Sequence, residues 1–526
     1  MAGFTIKIDN ILGGQSPTQY FNAPSQFDSS IGIDPDMPVS DTSTRTSGLL
    51  RPTGMSKFSS TNVTGTPLHF LTNPKDALIY AYMSDGKVTS YTNALTAGSE
   101  VLVGTPTSGA GNGAEYYDNY LYFATPTDVS RYGPLNGAAV LTNTYWSGTL
   151  AKTALVNTTY PSINGVAIPN HPMHYHAPTN NLYFGDVVNG KGTIHYISTT
   201  KTTVEGDTDN GSTYAKLTTT PWGYLPTCIE SYGSDLVIGC VQGTNATTLQ
   251  RNAVILFWDT VATAPNKTIS KELPDPLVTA MRNVNGVLYV FLGNAQGGTR
   301  VIKFAGGYSW QEVAFLEESF PPLVGAVDHW LSRVVFGGNT VYPEASASVW
   351  AIGSKNAQLA QNNPLFNILK TTSVGSNPYV TAVKYVLQAD NKIRQPIVGW
   401  KDGSTQGIDK VGTTYGINVW RSEIFRIGRP FQINRIRFIL AQPMAANMTI
   451  VPKIFTDEVR NTYTLQTINN TNYTNSDVNI SQNYKGGISV KGQHNFLLEL
   501  RWTGTALATV SLPITIFGEI IKDAAE

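Results

Sequence analysis

Charge is scarce in this chain: Asp, Glu, Lys and Arg make up 14% of its 526 residues, and 36 basic side chains balance 36 acidic ones. The overall balance gives no electrostatic footprint for nucleic acid, which calls for a clustered excess of Lys and Arg. A local basic patch stays open. Cysteine is scarcer still, with Cys228 and Cys240 at the two ends of "CIESYGSDLVIGC". Two thiols cannot build a disulfide framework, and they suit a reducing site of assembly. No apolar run approaches the roughly 18 residues of a membrane span, and "MAGFTIKIDNILGG" has neither the basic nor the apolar region of a signal peptide. The expectation is a protein made in a cytoplasm, with no membrane span. Gly-x-Ser-x-Gly elbows, Gly-Lys-Ser/Thr phosphate loops and His-Glu-x-x-His pairs are missing as well, so neither an enzyme nor a cofactor is expected.

What is abundant is turn and strand chemistry: 48 Gly, 29 Pro and 26 Tyr among many Thr and Asn. That composition predicts an all-β protein with very little helix. One short apolar run keeps returning, as "ALIYAY" (77 to 82), "LYFAT" (121 to 125), "LYFGD" (182 to 186), "LVIGC" (236 to 240), "LYVFLG" (288 to 293), "RVVFGG" (333 to 338) and "PIVGW" (396 to 400). The copies start roughly 40 to 60 residues apart, most follow an Asp, Asn or Gly turn, and most precede a second strand such as "IHYIS" or "VILFWD". A helix-free repeat of this length describes a propeller blade, in which inner strands buried on both faces become nearly continuous apolar runs. A diverged β-propeller of five to seven blades over residues 61–411 is expected; large β-sandwiches are the alternative.

The flanks differ. Residues 1–60 are rich in Ser, Thr, Asp, Pro and Gly with isolated apolar residues, the composition of an extended arm that is either disordered or ordered by lying along another surface. From 412 to 526, "QINRIRFILAQ", "NMTIVPKIFTDE", "HNFLLELRWTG" and "SLPITIFGEII" are longer strands, and "INRIRFIL" alternates basic with apolar residues. They predict a C-terminal antiparallel β-sandwich.

Candidate chemistry is sparse. His171, His174 and His176 in "HPMHYH", with His195 nearby, are zinc-ligand types, although hydrogen-bonded histidines at a blade turn explain them as well. "DTDNGS" (Asp207 to Ser212) resembles half of a calcium loop without its closing acid. Asp186, Glu230 and Asp259 are carboxylates of the kind a glycan-cleaving propeller needs in pairs. Trp310, Trp330, Trp400, Trp420 and Trp502 could stack on sugar rings or fill the core.

The order of parts, through "IGIDPDMPV" and "SGLLRPTGMSKF" into the repeats and then "GRPFQINRIRFILAQPMAANMTIVPKIFTDEVRNTYTLQTIN", resembles the tail nozzle, or tail accessory factor (packaged-DNA stabilisation), class of short-tailed bacteriophages. The resemblance implies a virion structural protein assembled in the host cytoplasm, a homo-oligomer in a six-fold ring beneath portal and adaptor proteins, retaining and then conducting DNA. Its arm would tether neighbouring subunits, with Arg51, Pro52, Met55 and Phe58 as a guess at the intersubunit contact. A virion protein that binds host-surface glycan or receptor, and a glycan-cleaving propeller, are the competing readings.

Overall fold

A computed structural model of the chain describes residues 3–9, 11, 14–15, 26–31, 33–34, 48–49, 55–58, 63–73, 78–92, 100–106, 111–163, 166–198, 218–220, 223–243, 252–260, 269–293, 297–316, 319–340, 347–353, 365–371, 378–387, 394–412, 418–457, 460–481, 490–506 and 508–521.

Each copy of the apolar repeat is the second strand of an antiparallel sheet. Tyr120–Ala124, for example, lies between Ala114–Tyr117 and Val129–Gly133, with Val140–Thr142 outermost. Its residues Leu121 to Ala124 are all buried, because neighbouring sheets cover both faces. The turn that leads into it, Asp118–Asn119, has φ of 45° and 63°, and Asn285–Gly286 repeats the device at 52° and 81°. Two successive left-handed residues match the twist of a two-residue hairpin, which is why Asn, Asp and Gly precede the repeats.

Among the described residues seven such sheets follow one another: blade 1 (inner strand Pro67–Thr72), blade 2 (Ala114–Tyr117), blade 3 (Met173–His176), blade 4 (Tyr224–Tyr232), blade 5 (Leu277–Val284), blade 6 (Val327–Trp330) and blade 7 (Pro378–Leu387). The fold is a β-propeller at the upper end of the expected blade number. Its ring is closed twice over. Phe58, Phe70, Ile79, Ala382, Ile397 and Ile408 form one buried cluster across blades 7 and 1, and Met55–Phe58, from the N-terminal region, is the outermost strand of blade 7, paired with Thr405–Val411.

The sandwich packs two sheets. One orders Gly3–Ile8, Val510–Ile520, Phe431–Leu440 and Asp477–Ser481; the other runs through Gln26–Ile31, Asn418–Ser422, Asn495–Gly504, Met448–Thr456 and Asn461–Thr464. Met448–Thr456 alternates buried and half-buried residues without a break, as a strand with one face on a core must. Between the sheets lie Ile450, Ile454, Leu498, Leu500, Trp420 and Trp502.

The expected arm over residues 1–60 thus crosses both domains, giving strands to the sandwich and the closing strand to the propeller. Among its described apolar residues, Ile8, Ile11, Phe27, Ile33 and Leu49 are buried. Between the domains, Ile33 N–H donates to the Asn367 carbonyl at 3.3 Å, and Arg333, wholly buried, donates to both oxygens of Asp34 at 3.1 and 3.3 Å. Met55 and Phe58, 6% and 1% exposed, lie inside the chain's own last blade, which corrects the guess that they face another subunit. Arg51 and Pro52 lie outside the described residues.

Candidate functional site

Register builds the site. In each blade the inner strand runs antiparallel to the apolar repeat, and one inner residue stands opposite the second residue of the repeat in five blades, the third in blade 6 and the fourth in blade 1. These residues are Leu71 (opposite Tyr80), Glu115 (Tyr122), His174 (Tyr183), Glu230 (Val237), Arg282 (Tyr289), Asp328 (Val335) and Lys384 (Ile397). Six of the seven are ionisable, and five of these, from His174 to Lys384, are in contact from blade to blade.

From blade 3 to blade 7 unlike groups meet at every step. His174 Nε2 is 3.3 Å from Glu230 Oε1, and Glu230 Oε2 is 3.7 Å from Arg282 Nη1. Arg282 Nη2 donates to Asp328 Oδ1 at 3.1 Å, and Lys384 Nζ is 3.6 Å from that same oxygen. Asp328 Oδ2 accepts the Tyr385 N–H at 2.8 Å, and Arg282 Nη2 also reaches His329 Nδ1 at 3.1 Å. Burial on its own would raise the Asp328 pKa. Lys384, the hydrogen bond with His329, Arg282 and the Tyr385 amide outweigh it and hold the carboxyl well below the usual range. For Arg282 burial works against the charge, while Glu230, Asp328 and Glu115 raise its pKa above the ordinary value. The carboxylates are buried, yet the Arg282 and Lys384 side chains keep 24% and 28% exposure, so the charged chain is reached by solvent.

Ser231, next to Glu230, has a histidine on its hydroxyl, which is the first requirement of an activated nucleophile. The hydrogen-bond directions follow from the acceptors, and they make His176 the acceptor of that hydroxyl and His174 a donor to it. His176 Nε2 is 3.1 Å from the Ser234 carbonyl, an acceptor only, so that nitrogen carries a proton. Burial lowers the His176 pKa, so its ring is neutral and Nδ1 accepts the Ser231 hydroxyl at 2.8 Å. Ser231 Oγ then accepts from His174 Nε2 at 2.7 Å, which leaves His174 a donor rather than a base.

The end of the axis where the inner strands begin is filled. A segment between blades 2 and 3 brings Tyr160 and Ile168 into a cluster with Leu68, Leu225, Leu277, Leu323 and Tyr379, and the Tyr160 hydroxyl donates to the Pro226 carbonyl at 2.9 Å.

The residues singled out in the sequence are scattered by the fold. Asp186 is buried in blade 3, where its Oδ1 accepts the Val156 and Val187 N–H groups at 3.0 and 2.8 Å; His171 Nδ1 and His195 Nε2 lie 3.5 and 3.7 Å from its oxygens. Burial would raise its pKa, but the His195 hydrogen bond and His171 lower it. Asp259 is exposed at the end of a blade 4 strand, in a different place from Asp186 and Glu230. Among the described residues no group of three or more His, Cys, Asp or Glu is arranged to hold a metal ion. Asp207 to Ser212 lie outside the described residues. Trp420, Trp502 and Trp400 are core residues; Trp330 stacks on Tyr385 with centroids 5.0 Å apart, and Trp310 is exposed. Arg282, Asp328, Lys384 and Glu115 were not evident beforehand. Their sequence signal is weak: a charged residue precedes the apolar repeat, but by 5 or 6 positions for Asp328, Glu115 and Arg282 and by 12 for Lys384.

No protein-family model and no curated protein matches the chain. Among solved structures, similarity is found to the Dos1 propeller (11% identity, 70% of this chain, 96% of that one, TM-score 0.42) and to the Neurospora crassa Pan2 WD40 domain (8%, 69% and 95%, 0.40). It is also found to the extracellular domain of a protein described as a hybrid two component system from B. thetaiotaomicron (10% identity, TM-score 0.40), where 76% of this chain spans 45% of the other.

Proposed function

We propose that the chain is a structural subunit of a short-tailed phage tail, of the nozzle class, assembling into a ring that prolongs the channel below the portal and retains, then conducts, DNA. The observation that carries this reading is the state of the propeller axis. Its charged groups are engaged with one another, its carboxylate Asp328 is held ionised rather than poised as an acid, and its other end is packed with Leu and Tyr. A glycan-cleaving propeller needs the reverse, an open axis with a carboxyl whose pKa is raised. What remains is a rigid block, stitched across its blades and to its sandwich.

The conduit in this reading is the hole of the ring and not the axis of the propeller. Duplex DNA, whose major groove alone is about 12 Å wide, does not pass an axis packed at one end with Tyr160, Ile168, Leu68, Leu225 and Tyr379. Zero net charge suits such a wall, because dense Lys and Arg would hold phosphate and slow passage. Heterologous contacts between identical subunits close the ring.

Negative-stain electron microscopy of the full-length protein at high concentration tests the reading. Six-fold class averages with a central hole are expected. Trimers would replace it by a host-surface appendage, and monomers persisting with portal and adaptor proteins present would overturn it.

A further inference from the structure

The segment that plugs the axis is fastened at both of its ends to one side chain. It leaves blade 2 at Leu155, whose N–H donates to the Thr127 carbonyl at 2.9 Å, and reaches blade 3 at His171; between these points it carries Tyr160 and Ile168 into the apolar cluster on the axis. At the first end the Val156 N–H donates to Asp186 Oδ1 at 3.0 Å, and at the second His171 Nδ1 lies 3.5 Å from that same oxygen. His171 and Asp186 are each 1% exposed, so water screens neither.

The protonation state of His171 follows from its neighbours. Nδ1 is 3.0 Å from the Gly185 carbonyl oxygen in blade 3, and Nε2 is 3.2 Å from the Pro126 carbonyl oxygen in blade 2. A carbonyl only accepts, so each nitrogen donates, and a ring with two N–H groups is a cation. The backbone is committed to this grip as well: His171 has φ of 54°, a left-handed conformation that a residue with a Cβ keeps only where its surroundings impose it. The groups around the ring leave Asp186 as its counter-charge. Blade 3 adds His195, whose Nε2 is 3.7 Å from Asp186 Oδ2. The plug adds Tyr160, whose hydroxyl is pushed well above its usual pKa by burial and then by Asp186. In the blade 2 turn that holds Pro126, the Asp128 carboxylate is taken up by the Val129, Trp146 and Ser147 N–H groups.

We propose that His171 is a buried imidazolium and that, with Asp186, it forms a proton-dependent clasp on the axial plug. Loss of either ring proton sets a nitrogen lone pair against a carbonyl oxygen and takes the imidazolium charge from a buried carboxylate, both of which are costly out of water. The segment from Val156 to Asn170 then loosens at its two ends, and the end of the axis that it fills opens. The clasp is closed while His171 keeps its proton and opens as pH rises through the value at which that proton leaves. It is independent of ring assembly.

The test uses the full-length protein with 15N-labelled histidine. At pH 6 the His171 ring should show both nitrogens protonated, while His69, which burial pushes down to about 4, gives the neutral reference in the same spectrum. Hydrogen exchange, corrected for the intrinsic rate at each pH, should show the Leu155, Val156 and Ile168 amides losing at least about ten-fold of their protection as His171 deprotonates, the factor that goes with one hydrogen bond to a charged group. The amides of Leu288 to Leu292 in blade 5 should not change over the same range. Asp186→Asn, which keeps the shape and removes the charge, should leave the His171 ring neutral at pH 6 and the segment poorly protected at every pH. A neutral His171 ring at pH 6 in the wild-type protein overturns the proposal, and so does protection of the segment that stays constant through the His171 titration; neither reading needs a variant. An Asp186→Asn protein that keeps the wild-type pH dependence overturns it as well.

Discussion

Asp328→Asn probes the axial charge chain at its most connected member. The carboxylate receives Arg282 Nη2 and Lys384 Nζ on Oδ1 and the Tyr385 N–H on Oδ2. Asparagine keeps one acceptor and turns the other oxygen into a donor. Either the amide nitrogen faces the Tyr385 N–H or it faces the guanidinium, so one donor meets another in both rotamers. A hydrogen bond to a charged group contributes about 1.5 to 3 kcal/mol, and removing one partner of a buried pair costs about 3 to 5 kcal/mol. The partial exposure of Arg282 and Lys384 reduces the second figure, because water screens what the carboxylate leaves behind. A loss of about 2 to 4 kcal/mol is expected, readable as a lower urea midpoint with an unchanged slope. The pH dependence identifies the cause. Asp328 is depressed in the folded state, so its stabilisation is complete above the unfolded carboxyl pKa of about 3.9 and disappears as pH falls toward the folded value. The gap between wild type and variant should therefore be full at neutral pH and shrink steadily below about pH 4. A gap under about 0.5 kcal/mol, the size of an ordinary surface substitution, or one that does not change with pH, would refute the argument that this carboxylate holds the blades through its charge.

Phe58→Ala tests the closing strand: Phe58 is 1% exposed, meets Tyr91 edge-on at 5.1 Å and joins blade 7 to blade 1, so a loss of about 3 to 5 kcal/mol is expected, with earlier proteolysis of the propeller than of the sandwich. Unchanged stability would mean that the strand Met55–Phe58 does not close the ring. Both thiols are buried; burial pushes Cys228 up to about 12 and Cys240 well above its usual value, so neither should react with a disulfide reagent at pH 8 until the chain is unfolded. Rapid labelling of either in the native protein would contradict their placement.

The propeller was legible because its signal is local. A second strand is covered on both faces by its neighbours, so Leu121 to Ala124 and Leu182 to Asp186 must be apolar or internally bonded wherever the repeat occurs, and the Asn and Asp turns before them must take left-handed backbone. The axial chain was not legible, for the opposite reason. It uses one residue per blade, with a different side chain in each, and its meaning comes from contacts between residues about fifty positions apart, such as Glu230 with Arg282 and Arg282 with Asp328. Glu230 and His174 drew notice for other chemistry, because a carboxylate and an imidazole look the same in a sequence whether they act or only pair.

The N-terminal region shows the same limit at longer range. Asp34 is one of many polar residues in a stretch that reads as an arm, and its partner Arg333 is 299 positions away. Composition describes what a segment buries by itself, and this one buries little by itself: Phe27, Ile33 and Leu49 each fill a place prepared by strands beyond residue 330. Such pairing carries a loop-closure cost that grows with the separation of its partners and is of the non-local kind that slows folding. The sandwich sheet edge beside Val510–Ile520 is covered by Gly3–Ile8 and the outer edge of blade 7 by Met55–Phe58, so each domain is completed by a strand from the N-terminal region.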